Sequence, residues 1–423
     1  GPDMFNSLAG FRRFFRDPLG GLDQLTRQSG DHTRVRFAGH DYLVLRDAEA
    51  AQRVLLDPDH SFTKGPISHS LKVVLGDGLL ISEGALWQSQ RKIIAPFLTP
   101  KYIRGYAQAM AHRTTKFAQR LDGVHDLRNV LSELTLEIVG DVLFGTELST
   151  DKIKRVHSAM ARMLNTTERR LRSWRRFVPE QWLVGTQNDF KESNQEIDSR
   201  IDEILAAHAS GMEGRVDVLS RLTTAVTVDG APLHRQQIRD ELVTLLFAGH
   251  ETTANLLTFT FLLLSEHPTV YRNLLAEVNE ITKGQPISFE QLPSLRLMDA
   301  IFKEVLRLYP TVPVLERQAS RDTALPLGGG QWVNVPKGVV VIVSPWLLQR
   351  TAMVRPRQRR EQSSLLAIRR RQTRVRRQSL RHDGGIYCDD RTAPSLGHSL
   401  PRANEPSLGG HPATQGRRAD SIY

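Results

Sequence analysis

Phe247-Ala248-Gly249-His250-Glu251-Thr252-Thr253 lies at the centre of an apolar run from about Leu233 to Glu266. Leu242, Val243, Leu245 and Leu246 precede it, and Leu256, Leu257, Phe259, Phe261, Leu262, Leu263 and Leu264 follow. Apolar residues on every side of a helix predict an element buried inside a large protein. Glycine in mid-helix costs about 1 kcal/mol against alanine, and paired threonines compete for backbone carbonyls. A helix that keeps such an interruption is expected to hold something against it. A His-Glu step on a helix also suggests a zinc protease, but Ala254 stands where that motif needs its second histidine.

Working outward, the His267-Pro268 step ends this helix, because the residue before proline is disfavoured in helix. Helices are expected over Thr269–Ile281 and Leu297–Leu308, with a cap at Ser288 and a stop at Pro310. Glu304 and Arg307, three apart on the second of these, face one side and can form one charged unit. Beyond Pro313 the pattern turns to strand, and Leu325–Leu327, Gln331–Val335 and Val339–Val343 read as a short meander.

On the amino-terminal side, Thr33 to Phe37 alternates, Gly39-His40-Asp41 turns, and Tyr42 to Leu45 follows, which predicts a β-hairpin. Asp47 caps a helix through Leu56, and Lys64 to Ser82 reads as irregular, broken by Gly65-Pro66, Gly76 and Gly78. A helix from about Glu83 carries Trp87 and Arg91 four apart, on one face, where indole and guanidinium can hold an anion together. A core tryptophan beside a surface arginine fits that spacing equally well. Helices are expected over Thr99–Arg120, Leu127–Leu143 and Phe190–His208. Residues 165–190 look less regular, with five arginines among Trp174, Phe177 and Trp182, and 211–230 is turn-rich. The arginine cluster suits either an anionic surface or a solvated, amphipathic helix end.

These pieces resemble, in consistent order over roughly residues 5–350, the cytochrome P450 haem-thiolate monooxygenases. The resemblance rests on Trp87-x-x-x-Arg91, the Ala248–Thr253 centre, Glu304-x-x-Arg307 with Pro310 behind it, and the β-meander. It implies a mainly α fold with small β-sheets (α+β), a long central helix crossing a haem face, and a haem cofactor. Ala248 and Gly249 would border the haem, Gly249 giving the backbone room to approach oxygen and substrate. Thr252 would offer a hydroxyl to the Ala248 carbonyl or to oxygen, and Glu251 would relay protons from solvent. Trp87 and Arg91 would bind one haem propionate and Arg317 the other, with Glu304 and Arg307 a structural pair. The implied function is hydroxylation of a lipophilic small molecule with dioxygen, electrons coming from a separate ferredoxin or flavin reductase.

The family's Phe-x-x-Gly-x-x-x-Cys-x-Gly loop has no match. Cys388, the single cysteine, has Arg381 where the phenylalanine belongs and Asp390 where the last glycine belongs. Acids beside a thiol oppose formation of the thiolate that binds iron, so no residue is assigned as a metal ligand.

Of 423 residues, 40% are hydrophobic, as in ordinary globular chains. With no apolar run of about 18–20 residues and no signal-peptide pattern, the expectation is a soluble, cytoplasmic protein of bacterial type. The net charge of +11 is uneven: residues 351–423 contribute +9, through fifteen arginines and no lysine, and the first 350 only +2. The expected division is a catalytic domain over 1–350 and an arginine-rich tail over 351–423, disordered or read in a shifted frame. Two alternatives to the monooxygenase follow: an inactive relative that at most binds apolar ligands, and a nucleic-acid binder acting through the tail, marked by steep salt dependence. Specific nucleic-acid binding is not expected, because the body is nearly neutral.

Overall fold

The computed structural model describes residues 16–354, apart from 28–29, 31, 38, 146–149, 173–183, 210–217 and 227–229. These residues belong to one compact unit, Gly1–Arg370. All of the arginine-rich tail beyond residue 354, Cys388 included, lies outside the described residues, as do Trp174, Phe177 and Trp182.

The chain opens with α1 (Pro18–Arg27), the hairpin β1 (His32–Phe37) and β2 (His40–Leu45), α2 (Ala48–Leu56) and the short β3 (Phe62–Thr63). Asp47 caps α2 as expected, its carboxylate accepting from Ala50 N at 2.9 Å. The hairpin turn is tighter than expected, since His40 already pairs with Phe37. Then come α3 (Pro66–Leu75), α4 (Gly84–Ile94), α5 (Pro100–Gln119) and α6 (Leu127–Phe144). α7 (Thr150–Arg172), α8 (Val184–Ala209) and α9 (Val218–Thr224) lead into the central helix α10 (Arg235–Glu266). After it stand α11 (Pro268–Thr282), a 3-10 turn capped by Ser288, α12 (Arg296–Leu308), four strands β4 (Leu315–Ala319), β5 (Thr323–Leu327), β6 (Gln331–Val335) and β7 (Val340–Val343), and α13 (Pro345–Val354).

This is the mainly α architecture with small sheets that the sequence implied. Four expectations need correction. The segment 64–82 is not irregular: Gly65 leads into Pro66 at the first helical position, where proline loses nothing, and Gly76, at φ 58°, ends α3. Residues 165–172 continue α7, and the turn-rich stretch holds α9. The meander also divides. β5 and β6 form their own antiparallel pair, whereas β7 joins a five-stranded sheet of order β1-β2-β7-β4-β3, parallel to β2 and antiparallel to β4. Val340 to Val343 are all buried, the mark of a strand covered on both faces.

The principal core gathers the amino-terminal half of α10 (Ile238, Leu242, Val243, Leu246) with α3, α6, α7, α8 and α9. Farther along α10, Phe261 and Leu262 are exposed, so apolar composition overstated burial there. Buried charge locks α10 to its neighbours. Arg239 donates to Asp198, Asn194 and the Val74 carbonyl, while Asp240 and Glu241 accept from Asp77 N and Leu79 N. A Cβ on Gly78 would lie 2.1 Å from Thr244 Oγ1 and 2.6 Å from the Asp240 carbonyl. Gly78→Ala is therefore expected to cost about 2 kcal/mol or more, read from urea unfolding.

Candidate functional site

Successive helical residues turn by about 100°, so His250 points nearly opposite to Ala248 and Thr252. α10 accordingly has two different sides at its centre. Ala248 is exposed and Thr252 half-buried, whereas His250 is fully buried. Thr252 Oγ1 donates to the Ala248 carbonyl at 2.6 Å, and Thr253 Oγ1 to the Gly249 carbonyl at 2.8 Å. Of the two partners the resemblance offered Thr252, the protein uses the backbone one.

Gly249 packs against α6. A Cβ there would meet Val139 Cγ2 of α6 at 3.0 Å, so the missing side chain makes room for α6. The small residue on the exposed side is Ala248. We expect Gly249→Val to destabilise the fold by about 1–3 kcal/mol and Val139→Ala to relieve part of that, a coupling measured by a double-mutant cycle.

On the buried side, His250 Nε2 is 3.0 Å from Ser132 Oγ of α6, and its ring meets His157 of α7 edge to face with centroids 4.2 Å apart. His157 Nε2 lies 3.9 Å from Glu251 Oε1. His157 holds the Glu251 carboxyl below the usual carboxylate range, burial opposes this, and His250 and Arg128 add to the lowering. Glu251 is thus a carboxylate at neutral pH. Burial first, then the charge of His157, brings His250 down to about 4, so it is neutral. Sequence reasoning missed His157, which sits on a helix it did not place.

Trp87 and Arg91 do share one face of α4. The guanidinium lies over the indole, 5.1 Å from its centroid, and among the described residues pairs with no carboxylate. Arg317 stands on β4, half-buried, donating to the Glu316 carbonyl at 2.8 Å. Lys64 joins these elements and was also missed. Its ammonium donates to the Leu79 and Ser82 carbonyls, its backbone N–H to Glu83 at the start of α4, and its field reaches Arg317 and Glu241. Burial lowers it to about 8. Behind α10, Glu304 and Arg307 form a buried bidentate pair at 2.9 and 2.7 Å, and Arg307 Nη1 is buried without a partner among the described residues.

Residues 5–354 match the family model described as Cytochrome P450. The chain belongs to the cytochrome P450 family. It is 28% identical over 356 residues to Protein LUTEIN DEFICIENT 5, chloroplastic, of Arabidopsis thaliana, covering 78% of this chain and 58% of that one. It is 28% identical to cyclooctatin synthase of Streptomyces melanosporofaciens, covering 81% and 74%, and 28% to pentalenene oxygenase of Streptomyces avermitilis, covering 80% and 74%. The chain spans 58–64% of the length of the chloroplast relatives. Among the described residues no helix is long and apolar enough to cross a membrane.

The family implies haem, and two features of the described residues fit it. An exposed alanine and a threonine hydroxyl stand together at the middle of α10, and a guanidinium stacked on an indole, with no carboxylate partner among the described residues, suits a carboxylate edge. Cys388, the single cysteine, lies outside the described residues, so no thiolate that could hold the iron stands among them. They hold one histidine cluster, His157 and His250 with Glu251, in which His250 lies on the side of α10 opposite Ala248.

The same network sets opposed pH responses. Burial pushes the Glu241 carboxyl up to about 7, so between about 4.5 and 7 the folded chain keeps a proton that the unfolded chain has released. Stability from this group falls as pH rises. For His250, between about 4 and 6.5, the unfolded chain holds the extra proton, and stability falls as pH drops. Each amounts to roughly 3 kcal/mol across its range. Urea unfolding from pH 4.5 to 6.5 should show stability rising with pH in Glu241→Gln and falling in His250→Asn; parallel slopes in the two variants contradict this.

Proposed function

We propose that the chain is a haem-dependent monooxygenase hydroxylating a lipophilic small molecule. The observation that carries this is the Ala248–Thr252 face, small and hydroxyl-bearing, at the centre of the long helix α10. Trp87, Arg91 and Arg317 would hold the haem carboxylates, and Ala248 would keep the helix backbone close to the cofactor. Haem, when bound, supplies the centre at which dioxygen is activated. The protein's part is proton handling. Glu251, ionised and about one-third exposed, takes a proton from solvent and releases it toward the cofactor side, and Thr252, held at the Ala248 carbonyl, orients a donor hydroxyl there.

Two relatives are named for oxygenation of pentalenene and of cyclooctat-9-en-7-ol, an unsaturated hydrocarbon and an unsaturated alcohol, which favours a lipophilic substrate. Streptomyces relatives favour a bacterial-type, cytoplasmic enzyme fed by a separate ferredoxin or flavin reductase. The test supplies full-length, haem-loaded protein with ferredoxin, its reductase, NADPH, labelled dioxygen and a hydrocarbon panel including pentalenene. One labelled oxygen atom per product is expected; loaded protein that neither consumes NADPH nor forms product contradicts the proposal.

A second reading, a catalytically inactive relative binding apolar ligands at most, is favoured by the Arg307 Nη1 that has no partner among the described residues and by the sequence around Cys388. The family match stops at 354, where the composition turns arginine-rich. A 1–350 catalytic domain followed by a frame-shifted tail accounts for both. A cysteine-loop pattern in a neighbouring frame of the coding DNA is expected, and its absence would refute that origin.

A further inference from the structure

The buried side of α10 carries chemistry that the proposed oxygenation uses only in part. His157, His250 and Glu251 each present a ligand atom, all within 4.8 Å of one another. The three come from two helices packed at the core, α7 and α10, rather than from a solvated cluster of acids. His250 is fully buried, and its Nδ1 has no hydrogen-bond partner among the described residues. Its Nε2 lies 3.0 Å from Ser132 Oγ, and in the tautomer that carries the ring proton on Nε2 the Nδ1 lone pair is free for a metal. Metal-bound histidines ordinarily have their second nitrogen anchored in this way.

We propose that His157, His250 and Glu251 bind a divalent transition-metal ion of the zinc type, with an open fourth position. Two imidazoles and one carboxylate suit a borderline ion, and three protein ligands plus water is a known zinc arrangement. Tetrahedral bonds of about 2.0–2.2 Å place donors roughly 3.4 Å apart, so the side chains must converge by about 1 Å. His157 and Glu251 have that freedom, with side chains 25% and 34% exposed and already 3.9 Å apart. Arg128, whose charge reaches both His250 and Glu251, opposes a dication, and the Glu251 carboxylate offsets it. Resting on the monooxygenase reading, a further consequence is regulatory: a metal held by Glu251 removes that carboxylate from proton relay and inhibits turnover.

The test titrates full-length protein, stripped with a chelator, with cobalt(II), followed by competition with zinc(II). Visible ligand-field bands of tetrahedral intensity that saturate at one equivalent, are displaced by zinc and vanish in His157→Ala support the site. His157→Ala removes the half-exposed ligand, and circular dichroism verifies its fold. Absent bands, or bands that persist in His157→Ala, overturn the site whether or not haem is bound. The regulatory step is judged separately, by turnover with added zinc: inhibition of the parent but not of His157→Ala supports it, and equal rates in both overturn it.

Discussion

Glu304→Ala is expected to destabilise the protein by about 3–5 kcal/mol, because it strands a buried guanidinium. The pair is held at both nitrogen positions, and Arg307 already has one nitrogen, Nη1, buried without a partner among the described residues. Removing the carboxylate leaves the whole cation without compensation, which costs more than the pair itself contributes. Arg307→Lys should cost less yet remain destabilising, since an ammonium cannot reproduce the planar two-point contact. Urea unfolding of the three proteins decides the matter. A cost below about 1 kcal/mol for Glu304→Ala would place the pair in the class of surface ion pairs and contradict its buried geometry.

The second large effect concerns protons. On the monooxygenase reading, Glu251→Gln is expected to lower product formation by about 10²-fold or more while leaving substrate affinity nearly unchanged, because the amide cannot pick up and release a proton. Thr252→Ala removes the hydroxyl that sits 2.6 Å from the Ala248 carbonyl, and its loss should show as NADPH consumed without matching product. Thr252→Ser, which keeps the hydroxyl, should recover most of the activity. A Glu251→Gln protein with full turnover would assign the carboxylate to packing against His157 alone.

The parts of this fold that were legible in the sequence are those whose signal is local and long. Leu233 to Glu266 announces a helix through thirty residues of composition and a terminal His-Pro step, and Asp47 announces a cap through one carboxylate. The parts that were missed depend on partners distant in sequence. Val340 to Val343 follows β6 closely, but its burial on both faces is satisfied by β2, three hundred residues earlier, and by β4. The helix over Pro66–Leu75 was hidden because its flanking glycines read as breakers when they are its boundaries. The packing of Gly249 on Val139 was likewise hidden, since sequence alone gives no rotation for α10. His157 carries no spacing relation to Glu251, and only the packing of α7 on α10 joins them. The candidate site was therefore readable as a list of residues, and its two-sidedness was not.

The central claim is that the Ala248–Thr252 face of α10 belongs to a working haem site. Its most direct test is the visible spectrum of the purified full-length chain, reduced and exposed to carbon monoxide. The monooxygenase reading predicts a haem band shifted strongly to longer wavelength, as thiolate ligation produces. Protein that takes up no haem, or that shows an unshifted band, would contradict it and leave the inactive relative standing.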